Sequence, residues 1–311
     1  MLSILSVVLP IFALTFAGWL TRRFGVFGPQ STTELNRFVV YLALPALLFD
    51  IVASARPADL WQPGFVAVFA LTTFCFFALT VTVSRMKGAA IGNATIHGLN
   101  AAYSNVAFLG FPLLLATLGP ASRTLTLIAT INTVCALFAT SIVLLEFGNQ
   151  TGGRPSVVVA RVLQALFRNP LVLAPSLGAL VMVSGIGIAA PLDTFLKLLG
   201  SAASPCALVC LGMFLAEPRK VEPGDTGRTT LLVALKLFAY PALMLVMARW
   251  VIPLEKPLRD AAVLLAALPT GTGPFMLAEL HRREGALTAR VILVSTVLSV
   301  ATVTLLLAAL R

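Results

Sequence analysis

Charge is scarce in this chain. Asp, Glu, Lys and Arg make up only 11% of its 311 residues, against about a quarter in soluble domains, while 59% are hydrophobic. Mean hydropathy is +0.97, which excludes a soluble globular domain and defines an integral membrane protein. Histidine is nearly absent: His97 and His281 are the only two, and they lie in different segments from the four cysteines, Cys75, Cys135, Cys206 and Cys210. Cys206 and Cys210 share a helix face, but the remaining ligands of a metal site are missing, so all four read as small packing residues. No GxSxG or HExxH motif occurs, and the chain reads as a non-enzyme with no cofactor.

The net charge of +10 would suggest a nucleic-acid partner in a soluble protein. Here its distribution points to a membrane instead. With the N-terminus outside, fourteen of the 22 basic residues fall in cytosolic loops, among them Arg22, Arg23, Arg85, Lys87, Arg154, Arg161, Arg168, Arg228, Arg282 and Arg283, and six fall outside. That bias predicts an inner-membrane protein with both termini outside and no nucleic-acid partner. No basic residue precedes the first apolar segment and Arg22 and Arg23 follow it, the reverse of a secretory signal, so the segment is expected to remain as span one.

Windows free of charge run over residues 1–21, 60–84, 88–122, 124–145, 169–192, 198–216, 261–278 and 291–310. Two more, 37–54 with Asp50 and 229–251 with Lys236, tolerate one charge each, which brings the expected total to ten. Prolines mark the organisation. Pro10, Pro45 and Pro112 recur as Pro175, Pro205 and Pro274 at offsets of 165, 160 and 162 residues, about half the chain. The expected fold is all-α and polytopic, with two five-helix repeats over 1–147 and 169–311 and a short linker, 148–168, between them. An odd number of spans per repeat forces the second to enter the membrane inverted, a plan common in secondary transporters. Within the linker, Arg154, Arg161 and Arg168 are spaced seven apart, as on one face of an interfacial helix, or of a simple extension of span six.

Spans four and nine are interrupted. NVAFLGFPLLL (105–115) and LPTGTGPFMLA (268–278) place Gly and Pro at bilayer depth, where freed backbone groups survive only beside an enclosed or watery cavity. Proline suits the first turn of a helix, so Pro112 and Pro274 are read as starts of second half-helices whose unpaired N–H groups favour an anion. Asn100, Ser104, Asn105 and Gly110 lie beside the first break, and Thr270, Gly271, Thr272 and Gly273 form the second. These groups are neutral. A cation carrier would be expected to place an ionised carboxylate here, and none is present, so the site suits a small organic anion. Asn132, in the middle of span five, is expected to face the same cavity. Lys236 reads either as a counter-charge or protonation-linked group, or as a lysine that snorkels to the headgroups. Asp50 and Lys197 lie towards the outer ends of spans two and seven, as a pair or as separate interfacial groups.

Several of these stretches resemble signatures of the auxin efflux carrier family: LNRFVVYLALPALLF (35–49), NVAFLGFP (105–112), RNPLVL (168–173), LGMFLA (211–216), LKLFAYPALM (235–244) and ALPTGTGPFMLAE (267–279). The resemblance implies spans four and nine crossing at their breaks, the plan shared with sodium/proton antiporters and bile acid symporters. It also implies a scaffold of spans one, two, six and seven, a moving unit of the other six, and a homodimer. Asn105 would contact the substrate carboxylate, and Lys236 would be the functional lysine of span eight. Two features depart from the plant members. No acidic residue in 60–84 stands ready to partner the lysine, and Thr270 occupies a position where plant carriers tend to have Gln. The expected activity is secondary transport of a mono- or dicarboxylate such as malate or malonate, or of an auxin-like aromatic acid, with H+ or Na+ as coupling ion. The alternatives are a sodium-coupled symporter of the bile acid type and a receptor that binds without translocating.

Overall fold

A computed structural model describes residues 2–57, 60–148, 164, 168–217 and 225–310. Among them the chain is helical: α1 Leu2–Arg23, α2 Ser31–Ala53, α3 Pro63–Met86, α4 Ile91–Ala102, α5 Val106–Leu118, α6 Ser122–Gly148, α7 Pro170–Ser184, α8 Ala190–Ala216, α9 Thr226–Val251, α10 Lys256–Ala267, α11 Gly273–Leu280 and α12 Gly285–Leu310. No named strand occurs among the described residues. Six helices, α2, α3, α6, α8, α9 and α12, are long and apolar enough to cross a membrane, and α5 and α7 are apolar but shorter. The segments expected as spans four and nine are each two helices, α4 with α5 and α10 with α11. The interfacial helix expected around Arg154 and Arg161 lies outside the described residues.

Prolines account for many of the helix starts. Pro63, Pro170, Pro191, Pro257 and Pro274 stand at the first or second position of α3, α7, α8, α10 and α11, where the missing N–H has no partner to lose. At α7, Asn169 adds a side-chain cap, its Oδ1 accepting from the Leu171 N–H at 3.0 Å. α8 begins at Ala190, eight residues before the uncharged window. Its charged first turns are stabilised by an ion pair of Lys197 with Asp193, 2.7 Å apart and one turn away.

Prolines further in change the helix type. The wide-turn segments Val39–Ala43, Val106–Gly110 and Leu235–Ala239 each run directly into an α-helical stretch whose second residue is proline: Pro45, Pro112 and Pro241. A proline ring collides with the carbonyl four residues earlier, at Tyr41, Phe108 and Leu237, and adding a residue to that turn relieves the clash. Pro112 is therefore not the start of a half-helix, as expected from the sequence. The second half-helix of span four begins at Val106, and Pro112 sits one turn inside it.

α1 packs along α8, and α2 lies against α7 and α8. These contacts are backbone-close. A Cβ at Gly18 would collide with the Val209 carbonyl, one at Gly212 with the Thr15 carbonyl, and one at Gly178 with the Phe49 carbonyl. Cys210 donates from Sγ to the Thr32 carbonyl at 3.3 Å, joining α8 to α2. In the rest of the molecule α3 packs on α4, α4 on α6, and α9 on both α10 and α12. Phe65, Phe69, Phe138, Tyr240 and Phe275 are fully buried there.

Candidate functional site at the helix crossing

α4 ends at Ala102 and the chain runs extended through Tyr103 before α5 begins, while α10 ends at Ala267 and Leu268, held extended ahead of Pro269, leads to α11. The two interruptions meet. Ser104 and Thr270 form an isolated antiparallel bridge, the Asn105 N–H donates to the Pro269 carbonyl at 2.9 Å, and the Gly271 N–H donates to the Tyr103 carbonyl at 3.1 Å. Backbone groups released by one break are thus satisfied by the other, where the sequence alone suggested that they line a cavity. At the starts of α5 and α11 the Val106 N–H donates to the Ser104 carbonyl at 2.8 Å and the Phe275 N–H to the Thr272 carbonyl at 3.1 Å, while Pro274 has no N–H to leave unpaired.

Side chains lock the crossing from both sides. Thr270 donates from Oγ1 to the Asn100 carbonyl at 2.8 Å, and its N–H donates to Ser295 Oγ on α12 at 3.2 Å. Asn100 Nδ2 donates to Thr288 Oγ1 at 3.0 Å, tying α4 to α12. Lys236, fully buried, donates from Nζ to Ser104 Oγ at 2.8 Å and to the Ala266 carbonyl at 2.6 Å. It therefore does not snorkel. Nζ lies at the carbonyl end of α10, where the helix dipole is negative, and 4.7 Å from the centre of the Tyr240 ring, a setting that favours a cation. Among the described residues no carboxylate lies within ion-pair distance of Lys236. On α3, where no acidic residue is available, Thr73 Oγ1 shares a 2.7 Å hydrogen bond with Tyr240 OH.

Ser104, Asn105, Thr272 and Gly273 face a small cavity, closed on its far side by Val39, Leu44 and Leu47 of α2 and by Ala203 and Ala207 of α8. Its volume is about 20 Å³, room for roughly one water molecule. Gly110 packs against Leu265 and Thr126 instead, and Pro112 and Pro274 shape the helices without lining the cavity. Asn132 lies in the wide-turn segment Ile131–Leu137, half-buried, its Nδ2 without a hydrogen-bond partner among the described residues. It is not part of the cavity wall, which takes Val134 from that helix. Asp50 is remote in role: it accepts from Ser54 Oγ at 3.0 Å, and Lys197 pairs with Asp193 rather than with it.

Tyr103 is a site residue that sequence reasoning missed. Its ring lies over Gly271 and Gly273, so close that a Cβ at either position would come within 2.8 or 2.6 Å of it. The alternating glycines of TGTGP were the available signal, because two glycines one residue apart at a break leave room for a bulky neighbour. Asn36 was also missed. Its Nδ2 donates to the Met276 carbonyl at 3.4 Å, connecting α2 to α11.

Apolar helices, two of them interrupted and joined backbone to backbone around a buried lysine, define a polytopic membrane transport protein. The comparisons agree and narrow it. A profile of the family described as "Membrane transport protein" matches residues 3–307, and the chain belongs to that family, which includes the auxin efflux carriers. A Rhizobium meliloti (strain 1021) protein named "Putative malonate transporter" is 31% identical over 306 residues, covering 98% of this chain and 95% of its own length. An "Uncharacterized transporter" of Methanothermobacter thermautotrophicus is 28% identical over 94% of this chain and 93% of its own. "Auxin efflux carrier component 8" of Arabidopsis thaliana is 24% identical, with 89% of each chain covered.

Proposed function

We propose that this protein is a secondary transporter of a small organic anion, a mono- or dicarboxylate of the malonate class, in the cytoplasmic membrane. The observation that carries the reading is the cavity at the crossing. Asn105 and Thr272, the residues that immediately precede α5 and α11, face one small space from the positive ends of those helices, and no carboxylate lines it. Lys236, hydrogen-bonded to Ser104 of that wall, would bring a positive charge to it when protonated. The name of the Rhizobium relative supports malonate as the first substrate to try.

The mechanism is alternating access between two bodies. α1, α2, α7 and α8 form a scaffold, and α3–α6 with α9–α12 form the unit that carries the crossing. The packing supports this: α1 lies against α8 and α2 against α7, the two pairs that inverted repeats would relate, and helices of both groups line the cavity. A space of about 20 Å³ is far below the few hundred Å³ of a ligand site, so substrate enters only when α2 and α8 withdraw from the crossing. Ten spans, both termini outside and a homodimer complete the proposal.

Counterflow of labelled malonate in proteoliposomes tests it, with malate and an aromatic acid as further substrates. Uptake is expected for the wild type and is expected to drop on Asn105→Ala, with KM raised. Absence of flux across the whole panel would remove the reading. Repeating the assay with and without a sodium gradient distinguishes sodium-coupled symport from proton coupling or uniport.

A further inference from the structure

A second cavity, about 570 Å³, opens on the basic-rich end of the molecule between α3, α4, α9 and the turn joining α11 to α12, and it shares no lining residue with the crossing. Its wall is divided by chemistry. The rim consists of Leu79, Val83 and Leu231, which are 57%, 41% and 48% exposed on the lipid-facing side of α3 and α9. Phe76, Leu232 and Leu235 continue this apolar surface inward. At the end nearest the aqueous phase the lining turns polar, with Lys87 from the end of α3, Arg228 from the start of α9, and His97 and Asn93 of α4.

His97 is nine-tenths buried. Its Nδ1 is 3.3 Å from Ser84 Oγ, while Nε2 has no hydrogen-bond partner among the described residues and is 3.8 Å from Glu284 Oε1. The one carboxylate in the wall, Glu284, is held by Asn93 Nδ2 at 3.0 Å and by Arg228 at 3.9 Å, so its charge is matched within the cluster. Two basic side chains, Lys87 and Arg228, thus stand against one carboxylate, and the polar end keeps a net positive charge. A small soluble anion would fill the polar end but leave the apolar rim uncovered.

We infer that this groove binds an anionic phospholipid, its phosphate among Lys87, Arg228 and His97 and an acyl chain along Leu79, Val83 and Leu231. The geometry matches both halves of such a molecule: basic groups between helices at the interface bind the headgroup, and the hydrocarbon wall runs towards the bilayer centre. The inference is independent of what the crossing transports.

The test is native mass spectrometry of the full chain, stripped of lipid in a neutral detergent and titrated with phosphatidylglycerol or with phosphatidylcholine of the same chains. Wild-type protein is expected to retain the anionic lipid about fivefold over the zwitterionic one, and Lys87→Gln with Arg228→Gln to bring the ratio near one. Because Arg228 also contacts Glu284, a second variant leaves every charge in place: Leu231→Trp fills the groove and is expected to lower retention of both lipids. A ratio unchanged in the double variant, with Leu231→Trp equally without effect, overturns the assignment. So does displacement of phosphatidylglycerol by glycerol 3-phosphate at equal concentration, which would make the site one for a soluble phosphate.

Discussion

Lys236 and Ser104 meet at 2.8 Å, although they are 132 residues apart in the chain, and through that contact the charge of α9 is joined to the break in span four. The same ammonium reaches the Ala266 carbonyl at 2.6 Å, so one side chain holds both broken spans. Replacing Lys236 by Met keeps the apolar stem and removes the donor. The lost hydrogen bonds and the lost cost of burying a charge oppose each other, so stability is expected to change by only about 1 kcal/mol. Transport is expected to fall below about a tenth of wild type. Flux in proteoliposomes beside a thermal unfolding curve checks both, and a variant that transports normally would detach the lysine from function.

Tyr103 sets the tolerance of the second break. Gly273→Ala places a methyl group 2.6 Å from the Tyr103 hydroxyl and 2.7 Å from the ring carbon that bears it, and is expected to abolish transport and lower the yield of folded protein. Tyr103→Ala in the same chain removes the obstruction and is expected to restore yield without full flux. Size-exclusion profiles of the single and double variants give the readout.

Thr270→Val preserves shape and deletes the donor to the Asn100 carbonyl. With that carbonyl left short of a partner in a buried place, the expected loss is about 1–2 kcal/mol, visible as a lower unfolding temperature. Thr270→Ser keeps the hydroxyl and is expected to stay within about 0.5 kcal/mol of wild type.

The α1–α8 contact makes a separate prediction. A side chain at Gly18 or Gly212 would collide with backbone carbonyls of Val209 or Thr15, which cannot rotate away. Gly18→Leu is expected to prevent folded protein from accumulating, whereas Leu9→Ala, at an exposed position on the same helix, is expected to be tolerated. Comparison of membrane-fraction yields decides between them.

Much of the site was legible before the structure. Glycine and proline at 105–112 and 268–274 announced the interruptions, because local backbone restrictions act on neighbours in sequence. Pro112 was assigned the wrong place because its local preference for a helix start could not reveal that the chain already turns into a helix at Val106. Asn132 meets a similar limit: a polar residue in mid-span says that a partner or a cavity is near, without saying on which side, and the cavity wall takes Val134 from that helix. His97 and Glu284, 3.8 Å apart in space, had no detectable relation in sequence.

Composition and immediate neighbours are enough to place this protein in a bilayer, to break two of its segments there and to leave the breaks without an acid, because solvation and backbone sterics act locally. The pairing of the breaks through Ser104 and Thr270, the reach of Lys236 to the crossing instead of the headgroups, and the cover of Tyr103 over two glycines emerge with the packed fold. Those outcomes depend on distances between residues more than a hundred positions apart, which the packing of helices sets and no local pattern encodes.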